Sequence, residues 1–512
     1  MADICKVYTK AVANVQYAPA PIRHSEASSR KEADMENTIT APAAARLRTV
    51  ASLPGPRPWP LMGNLPNMQL DRIHRNVEQW SKRYGPVFKI NIGPVPMLVL
   101  ADHQLVNAAL RDRPDGFRRP SITAEVSNEM GGRPGVFLAE GAAWRNQRRM
   151  VMTALAPHAV KAYFPSLVSV GLRLQRRWRQ AARDGGAIDL TEDLKRFSVD
   201  VIAGLAFGND VNTIDGGDDV IQRHMDTILP EVSRRSFALF PYWRYLKLPR
   251  DRHLDSCVRE LDKAVDELIA TARVRLAAEP QRREHPTNLL EAMICAADEG
   301  DSGVSDVAVA GNVTTMLLAG EDTTSNTLAW MLYLLQKNPA ALRKAREEVL
   351  RIAPDTAAFT IEQMDALDYL DACAQEAMRL KPVAPFLPLE ALRDSVIGDV
   401  QIPKGGLVWC VMRHDSISEN HVARADQFDP ERWLIKGDGA MDKHVSMPFG
   451  SGVRTCPGRY LALLEIKLAG AMLLNSFDIA SLDTAAGKEP DELMAFTMSP
   501  VGLRMQLRDR VA

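Results

Sequence analysis

The stretch Phe449-Gly450-Ser451-Gly452-Val453-Arg454-Thr455-Cys456-Pro457-Gly458 puts one cysteine in a glycine-rich loop, directly before a segment with helical periodicity. Backbone N–H groups in such a loop and at the start of a helix donate to sulfur and favour the thiolate. The glycines allow sharp turns and the close approach of a ligand. Phe449 is placed to cover the sulfur, and Arg454 adds positive charge. The alternative is a buried cysteine that only fills space, which is the commoner role of isolated cysteines.

The composition is that of an ordinary folded protein. The chain has 512 residues, of which 46% are hydrophobic and 25% charged, and its formal net charge is −1. A charge this close to zero gives no general reason to bind nucleic acid, so no nucleic-acid partner is expected. The six cysteines are scattered without a C-x-x-C pair, which fits a reducing compartment and predicts a cytoplasmic protein.

The domain organisation follows from residue usage near the N-terminus. Residues 1–48 are rich in alanine, serine, threonine and charge, and we expect a flexible leader there. The proline run at 54–60 then predicts a stiff extended arm at the start of a single domain covering 49–512, and a plain linker explains the run equally well. No stretch approaches the roughly 18–20 apolar residues that a membrane-spanning helix needs, so no transmembrane anchor is expected.

Hydrophobic periodicity predicts a fold that is mainly α with minor β. Short strands are expected at 87–92 and 97–100, and further strands within 395–410. Helices are expected at 71–84, 141–156, 158–183, 190–207, 218–229, 252–278, 304–336, 339–352, 367–380 and 457–474.

The loop spacing F-x-x-G-x-R-x-C-x-G resembles that of the cytochrome P450 family, and other family landmarks occur in order over about residues 50–512. The resemblance is to a soluble, bacterial-type member. It implies that Cys456 is the thiolate ligand of the iron of haem b. It also implies that the haem is held between a long central helix and the cysteine loop with its following helix. Phe449, Gly450 and Arg454 belong to this cofactor-binding loop.

Trp144 and Arg148 match the family pattern W-x-x-x-R, and on a helix they share one face. Both side chains are hydrogen-bond donors suited to a haem propionate, and Arg454 is a third candidate. Without the resemblance, a core tryptophan beside a surface arginine would be the preferred interpretation. Arg413 is excluded, because the chain reads Arg413-His414-Asp415 where the family often has His-Arg-Asp.

The segment Ala319-Gly320-Glu321-Asp322-Thr323-Thr324 lies inside the predicted 304–336 helix. Glycine followed by threonines is poor helix composition, so a local bulge is expected, with hydroxyl groups bonding to the backbone. The segment also matches a family pattern. By resemblance, Asp322 and Thr323 are the acid–alcohol pair that relays protons to the oxygen-binding site. Glu321 is a second acid without an assigned role.

Glu376 and Arg379 are three residues apart on a predicted helix, and Arg432 lies in a P-E-R segment further along the chain. A lone E-x-x-R pair is most often a solvated pair on a helix surface. By resemblance, the three residues form a buried cluster that supports the core behind the haem. The expected role is structural.

The resemblance implies a monooxygenase that inserts one oxygen atom of O₂ into a hydrophobic small organic substrate by hydroxylation or epoxidation. Electrons would come from NAD(P)H only indirectly, through a separate ferredoxin or flavodoxin with its reductase. Arg145 and Arg149 are a candidate docking patch, although ordinary solvated charge explains them as well. The alternative is a haem-thiolate protein without monooxygenation, either an isomerase, a peroxygenase or a haem sensor. Such proteins usually alter the acid–alcohol pair, which is intact here.

The expected substrate pocket is largely apolar. By resemblance its walls come from a loop at 117–137 and from residues 237–246, 313–317, 383–387 and 498–501. Residues 236–249 mix aromatic and basic side chains. They are either a substrate entrance or membrane contact, or an inter-helix loop packed on the core.

Overall fold

A computed structural model describes residues 47–208, 211–216, 220–238 and 240–510. The predicted leader therefore lies almost entirely outside the described residues. Its last two residues, Leu47 and Arg48, are described, and Arg48 pairs with Val400 in a short parallel strand pair. The Arg48 guanidinium lies 2.6 Å from the Asp399 carboxylate. The chain is thus already part of the folded unit at Arg48.

Helices make up most of the described chain, as the periodicity predicted. The α-helices are α1 (Ile73–Tyr84), α2 (His103–Arg111), α3 (Ser121–Glu129), α4 (Gly141–Ala154), α5 (Pro157–Asp184), α6 (Leu190–Phe207), α7 (Val220–Ser236), α8 (Pro249–Ala278), α9 (Gln281–Glu284), α10 (Leu289–Asp298), α11 (Asp306–Lys337), α12 (Pro339–Ile352), α13 (Ile361–Asp365), α14 (Asp368–Leu380) and α15 (Arg459–Ser476). None of these helices combines the length and apolar character that a membrane span requires.

The strands are short and form small sheets. They are β1 (Arg48–Thr49), β2 (Val87–Ile92), β3 (Val95–Leu100), β4 (Phe117–Arg118), β5 (Ile188–Asp189), β6 (Phe386–Ala391), β7 (Ser395–Ile397), β8 (Val400–Ile402), β9 (Leu407–Val411), β10 (Phe477–Thr484), β11 (Glu492–Met494), β12 (Met498–Pro500) and β13 (Leu503–Asp509). The largest sheet has five strands in the order β2-β3-β9-β6-β4. Its β3–β9 pairing is parallel and the others are antiparallel.

Helix α11 is apolar on nearly all sides and runs through the main core, as expected for a helix buried all round. It packs against α6, α14 and α15. Asn312 is fully buried on α11, and its side chain accepts from Val136 N at 2.9 Å and donates to Gln147 at 2.9 Å. These bonds attach the chain before α4, and α4 itself, to the central helix.

Several elements differ from the predictions. The segment 117–137 is not a plain loop, because it contains β4 and α3. The helix predicted at 218–229 extends to Ser236. Helix α15 is not the last element, since β10–β13 follow it. The C-terminal strands escaped prediction because they are short and their partners, such as β5 for β13, are distant in sequence.

Glu376 lies at the centre of a buried ionic cluster. Its carboxylate is 2.7 Å from Arg379 Nη2 and 3.0 Å from Arg432 Nε, and it accepts from Trp433 Nε1 at 2.8 Å. Burial alone would raise the pKa of the Glu376 carboxyl, but the hydrogen bonds and charge of Arg379 lower it below its usual range. Arg379 also donates to the carbonyl of Ser416, so the cluster connects α14 to the chain that leads to the cysteine loop.

We predict that Glu376→Ala greatly reduces the yield of folded protein. Breaking a buried ion pair by removing one partner costs about 3–5 kcal/mol, because the remaining charges stay buried. Glu431→Ala is the matched control, since Glu431 is half-exposed and pairs with Lys344 at the surface. The measurements are haem-loaded yield and thermal midpoint. An unchanged midpoint for Glu376→Ala would contradict a structural role.

Candidate active site

A cavity of about 770 Å³ lies between α11, the cysteine loop and the start of α15. Gly320 and Thr323 of α11 line one side, and Phe449, Gly450 and Cys456 line the other. Most of the remaining lining is apolar, with contributions from α4, β6, β9 and the β11–β12 turn. The cavity therefore borders both the α11 segment that is predicted to serve oxygen binding and the loop that carries Cys456.

Cys456 is held by the turn geometry of its loop. Its backbone N–H donates to Phe449 O at 2.9 Å, which closes the loop, and its side chain faces the cavity. Gly450 and Gly452 have φ of 75° and 71°, a backbone conformation that favours glycine. Cys456 is exposed to the open cavity, but the protein atoms packed around its sulfur still raise the pKa of the thiol, while the Gly458 N–H and the nearby Arg148 charge lower it. A bound cation at the sulfur would favour the thiolate further.

Trp144, Arg148 and Arg454 come together at one end of the cavity, and all three line it. The Arg454 guanidinium lies 4.3 Å from the Trp144 ring centroid, over the ring. Arg148 Nη2 donates to Thr455 O at 2.7 Å, and Arg454 donates to Ala139 O at 2.9 Å. Helix α4 is thereby attached to the cysteine loop through the two arginines.

Two further arginines that the sequence analysis did not identify also line this cavity, Arg113 and Arg119. Burial lowers the pKa of Arg113, and it lowers that of Arg119 still further with the help of the neighbouring Arg113 and Arg454 charges. Burial also lowers the pKa of Arg454, to about 10. For Arg119 the sequence signal was a basic residue within 117–137, a segment expected to form an apolar pocket wall, whereas Arg113 precedes that segment and gave no such signal.

The negative charge beside these guanidinium groups is small. Glu140 pairs with Arg454, and its Oε1 accepts from Arg119 N at 3.4 Å. The Nε atoms of Arg113 and Arg454 are buried without a hydrogen-bond partner. In the described part of the chain, four arginines thus meet one close carboxylate. Buried cations require anionic partners, so this end of the cavity fits a ligand with acidic groups, as the two propionates of a haem are.

Thr323 and Asp322 point to different environments. Thr323 lines the cavity, and its hydroxyl donates to Ala319 O at 2.6 Å. Asp322 is not among the lining residues, and its Oδ1 lies 3.5 Å from Lys195 Nζ on α6. Both partners of this ion pair are about one-fifth exposed. Asp322 and Thr323 together therefore extend from the cavity wall, which Thr323 lines, toward solvent, to which Asp322 is partly exposed.

The bulge expected in this part of α11 is not observed, because the helix is α-helical without interruption from Asp306 to Lys337. The hydroxyl groups behave as expected. Thr323, Ser325 and Thr327 each donate to the carbonyl four residues earlier, at 2.6–2.7 Å. Such back-bonding by itself slightly destabilises a helix, so the regular course of α11 is held by its packing in the core. Glu321, the second acid of the segment, is buried.

The predicted pocket walls are correct in part. Residues 119–123, 136–137, 315–316 and 383–387 contribute lining side chains, but 498–501 do not. The lining instead comes from 493–497, because 498–500 form β12 and the turn before that strand faces the cavity. Phe496 at this turn lies 6.0 Å from Phe137, centroid to centroid.

The segment 236–249 has a mixed character. Trp243 is buried and donates to Glu129 at 2.9 Å, as expected for a packed loop. Phe240 and Tyr245 stack on each other and are exposed, and Phe237 lines the cavity. The described residues of this segment thus pack on the core through several aromatic side chains, including Trp243 and Phe237, and present Phe240 and Tyr245 at the surface.

Arg413 lies outside the cavity lining, in agreement with its exclusion as a propionate ligand. Its guanidinium is 2.7 Å from Glu78 on α1 and 2.8 Å from Glu492 on β11. Glu492 also accepts from Lys381 and contacts His74. This network connects the base of the β11–β12 hairpin to helix α1.

A cavity with a cysteine at one wall and an arginine cluster at its edge is the kind of site that would accommodate a haem bound through a thiolate. A family model for Cytochrome P450 matches residues 53–507. The chain belongs to the cytochrome P450 family, and with named monooxygenases among its relatives it is a P450 monooxygenase. The mainly α fold with minor β sheets is the fold of that family.

Among similar proteins, carotene epsilon-monooxygenase, chloroplastic, of Arabidopsis thaliana is 28% identical over 460 residues, 84% of this chain and 81% of that protein. Protein LUTEIN DEFICIENT 5, chloroplastic, of the same organism is 27% identical over 409 residues, 77% of this chain and 67% of its own. A self-sufficient cytochrome P450 monooxygenase of Oidiodendron maius is 28% identical over 435 residues. That match covers 83% of this chain and 39% of the relative.

We predict that Arg119→Gln weakens haem retention. A hydrogen bond to a charged group contributes about 1.5–3 kcal/mol, which corresponds to roughly 10–100-fold faster haem loss. The measurement is haem transfer to an excess of apomyoglobin. Arg118→Gln is the matched control, because the Arg118 side chain pairs with Glu390 and does not line the cavity. Equal transfer rates for the two variants would exclude Arg119 as a haem contact.

Proposed function

We propose that this monooxygenase binds haem b and inserts one oxygen atom of O₂ into a hydrophobic small organic molecule by hydroxylation or epoxidation. The observation that carries the proposal is the single cavity lined by Cys456, the arginine cluster and Thr323. When bound, the haem supplies the activation of O₂, with the thiolate ligand favouring cleavage of the O–O bond.

In this proposal each side chain at the cavity edge has a holding role. Cys456 would bind the haem iron through its sulfur, and Phe449 and Gly450 shape the loop around that sulfur. Trp144, Arg148 and Arg454 hold the propionates, and the position of Arg119 beside Arg454 supports a fourth donor. Because Arg148 and Arg454 also bond to loop and backbone carbonyls, binding of the acidic groups stabilises the same loop that carries the cysteine.

Asp322 and Thr323 are proposed to move protons from solvent to the cavity. The Thr323 hydroxyl hydrogen is engaged with Ala319 O, so its oxygen is available to accept a hydrogen bond from a proton donor inside the cavity. Asp322 is oriented toward Lys195 and partly exposed, so it can exchange protons with water. Rotation of the Asp322 side chain away from Lys195 would carry a proton from the solvent side to the Thr323 side.

The apolar walls support a hydrophobic substrate. One relative is named a carotene monooxygenase, which is consistent with a hydrophobic substrate. A haem-thiolate isomerase, peroxygenase or sensor remains the alternative for the detailed reaction. The intact pair of Asp322 and Thr323 favours monooxygenation, because a sensor needs no proton delivery and because haem-thiolate isomerases and peroxygenases usually alter this pair.

Electrons are proposed to come from NAD(P)H through a separate ferredoxin or flavodoxin with its reductase. Arg145 supports a docking site only weakly, since it is exposed but pairs with Asp115 at 3.0 Å. Arg149 donates to the carbonyl of Ser302 at 3.2 Å, and its role in docking stays a prediction. Comparing ferredoxin, flavodoxin and P450-reductase systems in NADPH-driven turnover tests the partner class.

A cytoplasmic location is also proposed. The five cysteines in the described ranges are all unpaired, which supports a reducing compartment. Some relatives are named as chloroplastic, and a reducing plastid stroma would satisfy the same cysteine chemistry. Expression of a fluorescent fusion in the native host distinguishes the two locations.

We predict that the reduced, carbon monoxide-bound protein shows the red-shifted Soret band of a thiolate-ligated haem, and that Cys456→Ser abolishes it. Serine keeps the size of the side chain but replaces the strongly donating sulfur. Cys410→Ser is the matched control, because Cys410 is buried in β9 away from the cavity lining. Persistence of the band in Cys456→Ser would refute the assignment and, with it, the proposed chemistry.

We also predict that Thr323→Ala separates NADPH consumption from product formation. Removing a positioned proton-transfer group costs typically ~10²–10⁴-fold in the step that it serves, whereas alanine is a good helix former and preserves α11. The variant should bind carbon monoxide and substrate normally, consume NADPH and release hydrogen peroxide. The measurement is product per NADPH, with peroxide assayed in parallel.

Thr314→Ala is the matched control for Thr323→Ala. Thr314 lies on the same helix and donates to Ala310 O at 3.2 Å, but it does not line the cavity. Its substitution should leave coupling unchanged. Unchanged coupling in Thr323→Ala as well would assign the alcohol role to another group, for which Thr324 is the nearest candidate in the lining.

A further inference from the structure

A second group of metal-ligating side chains lies outside the haem cavity, where α2 begins. His103 is the first residue of α2, and Asp415 is the first residue of a short 3-10 turn (Asp415–Ile417) that follows β9. His421 lies in the loop after that turn. One possible ligand atom from each of these three residues lies within 4.8 Å of the others. None of the three lines the haem cavity.

Asp415 is the centre of this group. Its Oδ2 is 2.8 Å from both the backbone N and the Nδ1 of His103. Its Oδ1 is 3.7 Å from His421 Nε2, which is too long for a hydrogen bond. His103 and Asp415 are buried, whereas the His421 side chain is about 35% exposed. The cluster therefore has a buried end and an end that an ion can reach from solvent.

A neighbouring histidine also lies near this carboxylate. His414 Nδ1 is 3.0 Å from the Ser81 hydroxyl, and His414 Nε2 is 3.8 Å from Asp415 Oδ1. Three imidazole rings therefore surround the Asp415 carboxylate.

A second carboxylate completes the surroundings of His103. Asp442 Oδ2 lies 3.5 Å from His103 Nε2, on the side of the ring opposite Asp415. A histidine that ligates a metal through one ring nitrogen usually donates its other N–H to a carboxylate or carbonyl, which orients the ring. His103 has this arrangement if an ion replaces the hydrogen shared between Nδ1 and Asp415.

We propose that His103 Nδ1, the Asp415 carboxylate and His421 Nε2 bind one Zn²⁺ ion, with water in the fourth position. Imidazole and carboxylate are the ligand types that zinc accepts at about 2.0–2.2 Å. Two tetrahedral ligands at these bond lengths lie about 3.3–3.4 Å apart, so the 2.8 Å between His103 Nδ1 and Asp415 Oδ2 widens by roughly half an ångström when the ion replaces the shared hydrogen. His421 completes the site by a small movement at the surface. Asp442 orients His103 and is a positioning residue.

The ion would connect three parts of the chain that support the haem site. Ser416, next to Asp415, bonds to Arg379 of the buried Glu376 cluster through both its carbonyl and its hydroxyl. Asp442 precedes the cysteine loop by a short segment, and its side chain caps the 3-10 turn that begins at Lys443. Zinc bound here would hold the start of α2 against both segments.

The test measures zinc in the haem-loaded protein. The protein is treated with EDTA, incubated with excess Zn²⁺, desalted, and analysed by mass spectrometry for zinc and iron together. The expected result is one zinc per chain in the unaltered protein and at least a fivefold loss in His421→Gln. His444→Gln is the matched control, because His444 is exposed and contacts Asp442 but not Asp415. It should retain one zinc.

Asp442→Asn gives an independent readout. Loss of an outer carboxylate typically weakens metal binding by about 10–100-fold without removing a ligand. Competition with a zinc-binding dye measures this shift, and the carbon monoxide spectrum verifies that each variant is folded. Failure of the unaltered protein to retain zinc would overturn the proposal. Equal retention by the unaltered protein and His421→Gln would also overturn it, because zinc would then be held elsewhere.

Discussion

The concentration of positive charge at one edge of an otherwise apolar cavity is the constraint on which the rest of the site depends. Burial lowers the pKa of Arg113, Arg119, Arg148 and Arg454, and Glu140 is the close carboxylate in the described residues. An uncompensated buried cation is costly, so this edge is unfavourable until acidic groups occupy it. Acidic groups of a bound cofactor would therefore stabilise the folded cysteine loop.

The supports of the site are polar contacts inserted into an apolar core. Asn312 attaches the chain before α4 to the central helix, the Glu376 cluster attaches α14 to the segment before the cysteine loop, and Arg148 attaches α4 to the loop itself. Each contact joins residues far apart in sequence. Because such bonds are directional, they determine where the two sides of the cavity lie relative to each other, whereas apolar packing alone tolerates sliding.

The sequence predicted the long helices and the elements that carry local motifs, because periodicity and the cysteine-loop pattern are local properties. It did not predict that Arg113 and Arg119 face the cavity, since that depends on how the chain between β3 and α4 folds over α11. It assigned the last pocket wall to 498–501 instead of 493–497. Which of these residues form a strand and which form the turn depends on the pairing of β11 with β12, and the local sequence does not reveal that pairing. The expected bulge in α11 was wrong, because packing in the core keeps the helix regular although Thr323 and Thr327 bond to carbonyls four residues earlier.

The β11–β12 hairpin is anchored to the fold at its base and contacts the cavity at its turn. Its base is held by Glu492, whose carboxylate meets His74, Lys381 and Arg413, and these charges lower its pKa far below the usual range despite burial. Its turn, which carries Phe496, faces the cavity. Residues in the turn can therefore be exchanged during evolution, or by design, without loosening the hairpin. The fold thus contains a position where substrate preference can diverge while the scaffold stays the same.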